Sequence, residues 1–226
     1  MSRFVTRVLM VLASAVVAAS ANALETFGEQ QPKTAKPDHM QHKFDDPARY
    51  AKSFDDPARD KWQMPERVIA ALGLKPGMSI ADVGAGTGYF TVRLAKVPGV
   101  TVFAVDVEPK MLEHIKTRRA AEELSNVSTV LAGANSPNLP QAVDVVLVVD
   151  TYHHLPNRPV YFRELRRSLL PGGRVAIVDF RKDAPDGPPA HFRFTPEQIE
   201  AEMKEAGYRL EATHDFLPRQ HFMVFQ

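Results

Sequence analysis

Three glycines at alternate positions follow an acidic residue within residues 80–90, and these residue types indicate a ligand-binding turn. Asp82 stands near the end of a run of short apolar residues, and a helix-like segment follows the glycines. The glycines are Gly84, Gly86 and Gly88. A strand, a tight turn and a helix start bring the backbone close to a nucleotide-like ligand. A Cβ atom in the turn would block the ligand or forbid the φ angles that the turn needs.

The spacing of these glycines separates two kinds of ligand. A dinucleotide fingerprint has glycine at its first, third and sixth positions. The sixth position here is Tyr89, which is too large for close packing of helix on strand and disfavours a nicotinamide-dependent oxidoreductase. The next predicted strand, residues 102–106, ends in Asp106, 22 residues after Gly84. A carboxylate at that place can accept hydrogen bonds from both ribose hydroxyls.

The pattern Asp82-x-Gly84-x-Gly86-x-Gly88, with Asp106 after it, resembles motif I of the class I methyltransferases that use S-adenosylmethionine. The resemblance covers roughly residues 60–226 and looks most like small-molecule methyltransferases, including the quinone-biosynthesis type. It implies an α/β fold: a doubly wound, Rossmann-like, mostly parallel sheet of seven strands, with one antiparallel strand and helices on both faces. It also implies an enzyme with S-adenosylmethionine as cofactor and a small-molecule methyl acceptor as partner.

The same resemblance implies a set of cofactor-binding residues. They are Asp82, Gly84, Ala85, Gly86, Gly88, Asp106, Val107, Asn135 and Asp150. Family members often carry an acid after the third strand that meets the adenine amino group. Ala134 cannot make that bond, which leaves Asn135 or a backbone amide for it.

Alternating strand and helix signals from residue 65 onward predict a parallel sheet with helices on both faces. Helices are expected over residues 65–72, 89–95, 109–124, 159–170 and from the Thr195 capping box to Gly207. Strands are expected to end near 83, to cover 102–106, to surround 130–131, and to cover 144–149, 174–179, 208–214 and 221–225.

Polar residues follow the predicted fourth strand, where ligands lie in open α/β sheets. Methyl transfer is an in-line displacement for which a protein supplies alignment and a dry pocket, and a general base is needed only if the acceptor loses a proton. Their position makes Tyr152 and His153 the candidate proton acceptors. His153 and His154 have no nearby carboxylate that completes a ligand set, and side chains of adjacent residues usually point apart, so no metal is predicted.

The N-terminus has the layout of a secretory signal. Arg3 and Arg7 precede an apolar run over residues 8–19, and Ala21-Asn22-Ala23 predicts cleavage after Ala23. The run is short for a membrane span, so no stable span is expected after cleavage. We therefore predict export, with the periplasm as the location. An uncleaved membrane-proximal N-terminus or a cytoplasmic protein is the alternative.

The remaining organisation is a linker over residues 24–42, a helical extension over 43–64 and the methyltransferase domain over 65–226. The extension contains a repeat with a period of ten, in which residues 44–49 recur as 54–59. Asp before Pro is a helix-start signature. The extension is either a lid over the active site or a pair of capped helices packed on the domain.

Composition restricts the function further. The chain has 226 residues, a net charge of +1 and no cysteine. The charge gives no indication of a nucleic-acid partner, and the missing cysteines exclude disulfides, thiolate nucleophiles and zinc–thiolate sites.

The predicted export raises a difficulty for an enzyme of this class, because the cofactor is made in the cytoplasm. A second hypothesis is therefore an exported, non-catalytic binding module that retains the nucleoside cleft.

Overall fold

The computed structural model describes residues 44–133 and 135–226. The predicted signal peptide over 1–23, the linker over 24–42 and the position of the missing acid, Ala134, lie outside these described residues. In the described ranges, no helix has the length and apolar character that crossing a membrane requires. Export therefore stays a prediction.

Seven strands form one sheet in the order β3-β2-β1-β4-β5-β7-β6. The strands are β1 (Ser79–Val83), β2 (Thr101–Asp106), β3 (Val127–Leu131), β4 (Val143–Val149), β5 (Leu169–Phe180), β6 (Leu210–His214) and β7 (Gln220–Phe225). Strand β7 pairs antiparallel with both β5 and β6, and the other neighbours are parallel. The predicted sheet with one antiparallel strand is confirmed.

Helices cover both faces of the sheet. They are α1 (Pro47–Phe54), α2 (Asp60–Gln63), α3 (Pro65–Ala71), α4 (Thr91–Leu94), α5 (Pro109–Ala121), α6 (Arg158–Leu165) and α7 (Pro196–Glu205). Buried side chains from α3, α4 and α5 pack on one face, and those from α6 and α7 pack on the other. Because β4 is covered on both faces, six of its seven residues are buried, which explains its continuous apolar sequence.

The prediction that the helix over residues 159–170 continues to residue 170 is wrong. Helix α6 ends at Leu165, and Leu169 already pairs with Val143 of β4. The pairing resumes at Arg174 with Val145, so the residues between form an irregularity within β5 rather than the turn after a helix. Glycine and proline in that stretch suit a distorted strand as well as a turn.

The two Asp-Pro copies of the extension begin helical segments, as predicted. Asp46 accepts a hydrogen bond from the backbone N–H of Arg49 at 3.1 Å and caps α1. Asp56 accepts one from Ala58 at 2.8 Å and caps a 3₁₀ turn that leads into α2. In both copies Pro occupies the first helical position.

The sheet reverses its strand order beside β1, which pairs with β2 on one side and β4 on the other. The connections leaving β1 and β4 therefore diverge and open a crevice at the carboxyl ends of these strands. In open α/β sheets such a crevice is where ligands bind.

Candidate active site

The glycine turn after β1 is tied to the neighbouring strand and approached closely by the loop after β4. The backbone N–H groups of Gly84 and Ala85 both donate to the carbonyl of Val105, at 2.8 and 3.0 Å. Gly84 has φ +76°, and a Cβ atom there would lie 2.1 Å from Oγ1 of Thr151. The glycine is therefore required by its backbone conformation and by the packing of Thr151.

Asp106 lies at the end of β2 and faces the turn. Its Oδ2 accepts the N–H of Gly86 at 2.8 Å, and its Oδ1 accepts the N–H of Glu108 at 2.9 Å. Burial raises the pKa of Asp106, while these backbone hydrogen bonds oppose the rise. Each carboxylate oxygen has a further lone pair, so the group can accept hydrogen bonds from a ligand diol.

Asp82 is a buried carboxyl beneath the turn. Thr91, at the start of α4, donates its hydroxyl to Oδ2 of Asp82 at 2.7 Å. Burial raises the pKa of Asp82 to about 6, against the lowering effect of the Thr91 hydrogen bond. A partly protonated carboxyl at neutral pH would regain its charge beside a cationic ligand.

These groups border one cavity of about 460 Å³. Its wall combines the glycine turn, the ends of β2, β4 and β5, the extension and the loop after β5. The predicted site residues that line it are Asp82, Gly84, Ala85, Gly86, Asp106, Val107, Asp150 and His153.

Asp150 directly follows β4 and has the left-handed conformation, with φ +51°. Its Oδ2 accepts Nη2 of Arg59 from the extension at 3.1 Å, and its Oδ1 accepts the side-chain amide of Gln220. Gln63 of α2 donates in turn to Gln220 at 2.6 Å. Burial raises the pKa of Asp150 to about 6, and the charge of Arg59 opposes it. Backbone strain and a buried carboxyl in one place are typical of a functional site.

His153 forms a buried pair with Asp179 at the end of β5. Its Nδ1 lies 2.9 Å from Oδ1 of Asp179, and its backbone N–H donates to Oδ2 at 3.1 Å. Burial lowers the pKa of His153, but the charge and hydrogen bond of Asp179 outweigh it and leave the pKa raised. A carboxylate that holds one ring nitrogen orients the other, as in histidine general bases.

The extension covers the glycine turn. The ring of Phe54 lies so close to Gly86 that a Cβ atom on this glycine would be 3.4 Å from the ring. Asp55 pairs with Arg118 of α5 at 2.9 Å, and Arg118 also donates to the carbonyl of Thr87 at 3.0 Å. The extension therefore contacts both the turn and the helix that follows β2.

Three predicted site residues lie elsewhere. Gly88 faces α5, where a Cβ atom would lie 3.2 Å from Ile115, so this glycine serves packing. Asn135 is in an exposed turn outside the cavity wall. Tyr152 is fully buried on the α6–α7 face, where its hydroxyl donates to Glu202.

The position of Tyr152 corrects its prediction as a proton acceptor. Residues 152–154 form a 3₁₀ turn. The turn sends Tyr152 away from the cavity and brings His153 and His154 to it together, with ring centroids 4.2 Å apart. The expectation that the two histidines point apart is therefore wrong.

Several residues that the structure brings to this site were not among those selected from the sequence. Arg59, Thr87 and Phe180 line the cavity, and Asp179 holds His153. Thr87 is almost fully buried, and its Oγ1 is the buried side-chain polar atom without a hydrogen-bond partner among the described residues. The sequence signal that could have identified Thr87 is its position between Gly86 and Gly88. The only sequence feature that marked Arg59 was its place in the ten-residue repeat. That feature does not identify a site residue, because Arg49, at the same position of the first copy, is exposed.

Comparisons with known proteins agree with this geometry. Residues 81–177 match the family described as a methyltransferase domain. The chain is 30% identical over 121 residues to 27-O-demethylrifamycin SV methyltransferase of Amycolatopsis mediterranei, covering 52% of this chain and 44% of that protein. It is 31% identical over 116 residues to a ubiquinone/menaquinone biosynthesis C-methyltransferase of Burkholderia multivorans, covering 50% and 48%. The chain thus spans about half the length of these curated relatives.

A solved structure extends the likeness to the whole fold. The crystal structure of a SAM-dependent methyltransferase from Aquifex aeolicus matches with a TM-score of 0.73 at 27% identity, covering 80% of this chain and 97% of that one. Residues 81–177 are thus similar to a methyltransferase domain, and the chain shares its fold with a SAM-dependent methyltransferase.

Proposed function

We propose that this protein transfers a methyl group from S-adenosylmethionine to a small organic acceptor by in-line displacement. The observation that carries the proposal is that Asp82, the glycine turn and Asp106 border the same cavity as His153 and an aromatic wall. One cavity thus offers both a cofactor cradle and room for an acceptor, as a displacement between two bound molecules requires.

The residues present fit this cofactor, which supplies an activated methyl group on a sulfonium. Gly84 and Gly86 leave backbone free of Cβ atoms at the cavity, and Asp106 has lone pairs for the ribose hydroxyls. The unpartnered hydroxyl of Thr87 can hydrogen-bond to a polar group of the cofactor. Asp82 lines the same cavity, and a cationic cofactor bound there would favour its charged form.

We also propose that residues 44–64 act as a lid. Phe44, Tyr50, Phe54, Arg59 and Trp62 line the cavity from this segment. Their removal would open the cofactor site to water, which weakens every electrostatic interaction inside it. If residues 44–64 are a lid, they move to let S-adenosylmethionine enter the cavity.

Calorimetric titration with S-adenosylhomocysteine, the demethylated cofactor, tests the proposed function. We expect the chain to bind it, and Asp106→Asn to weaken binding about tenfold to a hundredfold because charge-assisted hydrogen bonds to the ribose are lost. Asp215→Asn, at an exposed carboxyl that follows edge strand β6 and lies outside the cavity wall, is the matched control and should bind as the unaltered chain does.

Failure of the unaltered chain to bind would contradict the proposed function. It would favour the second candidate, a binding module that uses the same cleft for another ligand. Equal binding by the Asp106 and Asp215 variants would contradict the assignment of the ribose to Asp106.

A further inference from the structure

The cavity beyond the glycine turn has a wall of aromatic rings that come from separate segments of the chain. Trp62 of the extension and Phe180 of β5 face it with ring centroids 5.7 Å apart. Phe44 lies edge-on to His154 at 5.4 Å between centroids. Flat rings pack best against another aromatic ring, offset or edge to face. The wall therefore favours a planar ligand.

The carboxylates next to these rings are already engaged. Asp150 accepts hydrogen bonds from Arg59 and Gln220, and Asp179 accepts them from His153. A cationic acceptor held away from water needs a carboxylate of its own. Neither of these two groups is available for that role, so this region favours an acceptor without positive charge.

His153 is placed to remove a proton from a hydroxyl group. Its Nδ1 is held by Asp179, and within residues 44–133 and 135–226 its Nε2 has no hydrogen-bond partner. An imidazole is a poor match for an aliphatic alcohol, because the pKa of such an alcohol is close to that of water and far above that of the ring. An aromatic hydroxyl, with a pKa of about 10 as in tyrosine, is much closer.

From these three observations we propose that the methyl acceptor is a neutral, planar aromatic compound bearing a hydroxyl group, with His153 as its proton acceptor. This inference rests on the proposed methyl-transfer function. The hydroxyl proton passes to Nε2 of His153, and the oxygen forms a bond to the methyl carbon. The bond between methyl and sulfur breaks with its electron pair going to sulfur, which neutralises the sulfonium. Asp179 stabilises the imidazolium until the proton leaves for solvent.

Fluorescence of Trp62 measures acceptor binding directly, because it is the sole tryptophan in the sequence and it lines the cavity. The protein is first saturated with S-adenosylhomocysteine, so that no reaction occurs. It is then titrated with three probes of similar shape: p-cresol, 4-methylcyclohexanol and 4-methylbenzylamine. We expect p-cresol to bind about tenfold or more tightly than the other two.

The outcomes separate the two proposals. If S-adenosylhomocysteine itself does not bind, the proposed function fails. If it binds but p-cresol does not, or the amine or the alicyclic alcohol binds as well as p-cresol, the acceptor class proposed here is wrong.

A rate comparison tests the role of His153. His153→Gln should lower methyl transfer to p-cresol about a hundredfold or more while p-cresol affinity changes less than about threefold, because only proton removal is lost. The loss should be much smaller for 4-nitrophenol at a pH where it is already ionised. His214→Gln, on edge strand β6, is the control. Equal losses for both acceptors would give His153 a structural role and overturn the proposal.

Discussion

Gly84 shows how one residue couples the glycine turn to the loop after β4. Its φ of +76° alone favours glycine, but the loop after β4 adds a second restriction, because Thr151 fills the space where a Cβ atom would stand. Gly73 has a similar φ of +62° with nothing within 4 Å of that space. A comparison of Gly73 with Gly84 therefore separates the free-energy cost of the left-handed conformation from the cost of displacing Thr151.

We expect Gly73→Ala to lower the free energy of unfolding by about 1–2 kcal/mol, the cost of the left-handed conformation alone. Gly84→Ala should cost about 1–3 kcal/mol more, because the new methyl group overlaps Thr151 and must displace the loop. Urea denaturation of both variants measures the difference. A loss of stability that is the same at both positions would show that the loop yields without cost.

At the scale of elements, the extension is held on the domain by ion pairs on two sides of the cofactor turn. Asp55 pairs with Arg118 of α5, and Arg59 pairs with Asp150 at the end of β4. The Arg118 pair is about three-quarters buried, so it is less screened than a surface pair. Since it lies outside the cavity wall, it can be removed without removing a cavity-lining residue.

If the extension is a lid, Asp55→Ala, which removes this pair and leaves the bond from Arg118 to Thr87, should increase the dissociation rate of S-adenosylhomocysteine about twofold to fivefold, the range of one modest ion pair. Amide exchange over residues 47–63 should become faster by a similar factor. Arg167→Ala, which removes an exposed pair with Glu164 on the far surface, is the control. Faster exchange without faster dissociation would mean that the ligand leaves by another path.

The elements of the sheet and the cofactor turn could be predicted because each has a local signal. Asp106 was identified by its distance from the glycines, and Asp82 by the apolar run before it. The place of Arg59 could not be predicted, because it depends on the path of the extension across the carboxyl edge of the sheet. The direction of Tyr152 depends on a single 3₁₀ turn that the sequence around it does not specify. Loops after strands carry the residues of the site and the weakest local signals.

At the scale of the whole molecule, the net charge is close to zero, but acidic residues are concentrated at the carboxyl ends of the strands. The net charge is +1, while four carboxyl groups lie mostly buried at the ends of adjacent strands. They are Asp82, Asp106 and Asp179, which are buried, and Asp150, whose side chain is 21% exposed. Such a cluster concentrates negative potential in a cavity with low-dielectric walls. It costs folding free energy, and a positively charged ligand in the cavity would offset that cost.

This cost should be measurable as a pH dependence of stability. Burial raises the pKa of Asp82 from its ordinary value of 3.8 to about 6, so the folded state binds this proton more tightly than the unfolded state does. The contribution of Asp82 to stability is therefore full below about pH 4 and is lost as the pH rises through 6. Asp82→Asn cannot ionise and keeps an acceptor for Thr91.

Between pH 4 and 7, we therefore expect the free energy of unfolding of the unaltered chain to fall by about 1–3 kcal/mol relative to that of Asp82→Asn. Urea denaturation across this range measures the difference, with the exposed Asp215→Asn as a control that should follow the unaltered chain. The pKa values of Asp106, Asp150 and His153 are also raised, so their contributions fall with rising pH too and largely cancel in the comparison of the two proteins. Parallel curves for the unaltered chain and Asp82→Asn would show that Asp82 ionises at its ordinary pKa. The cofactor cradle would then impose no electrostatic cost on the fold at this residue.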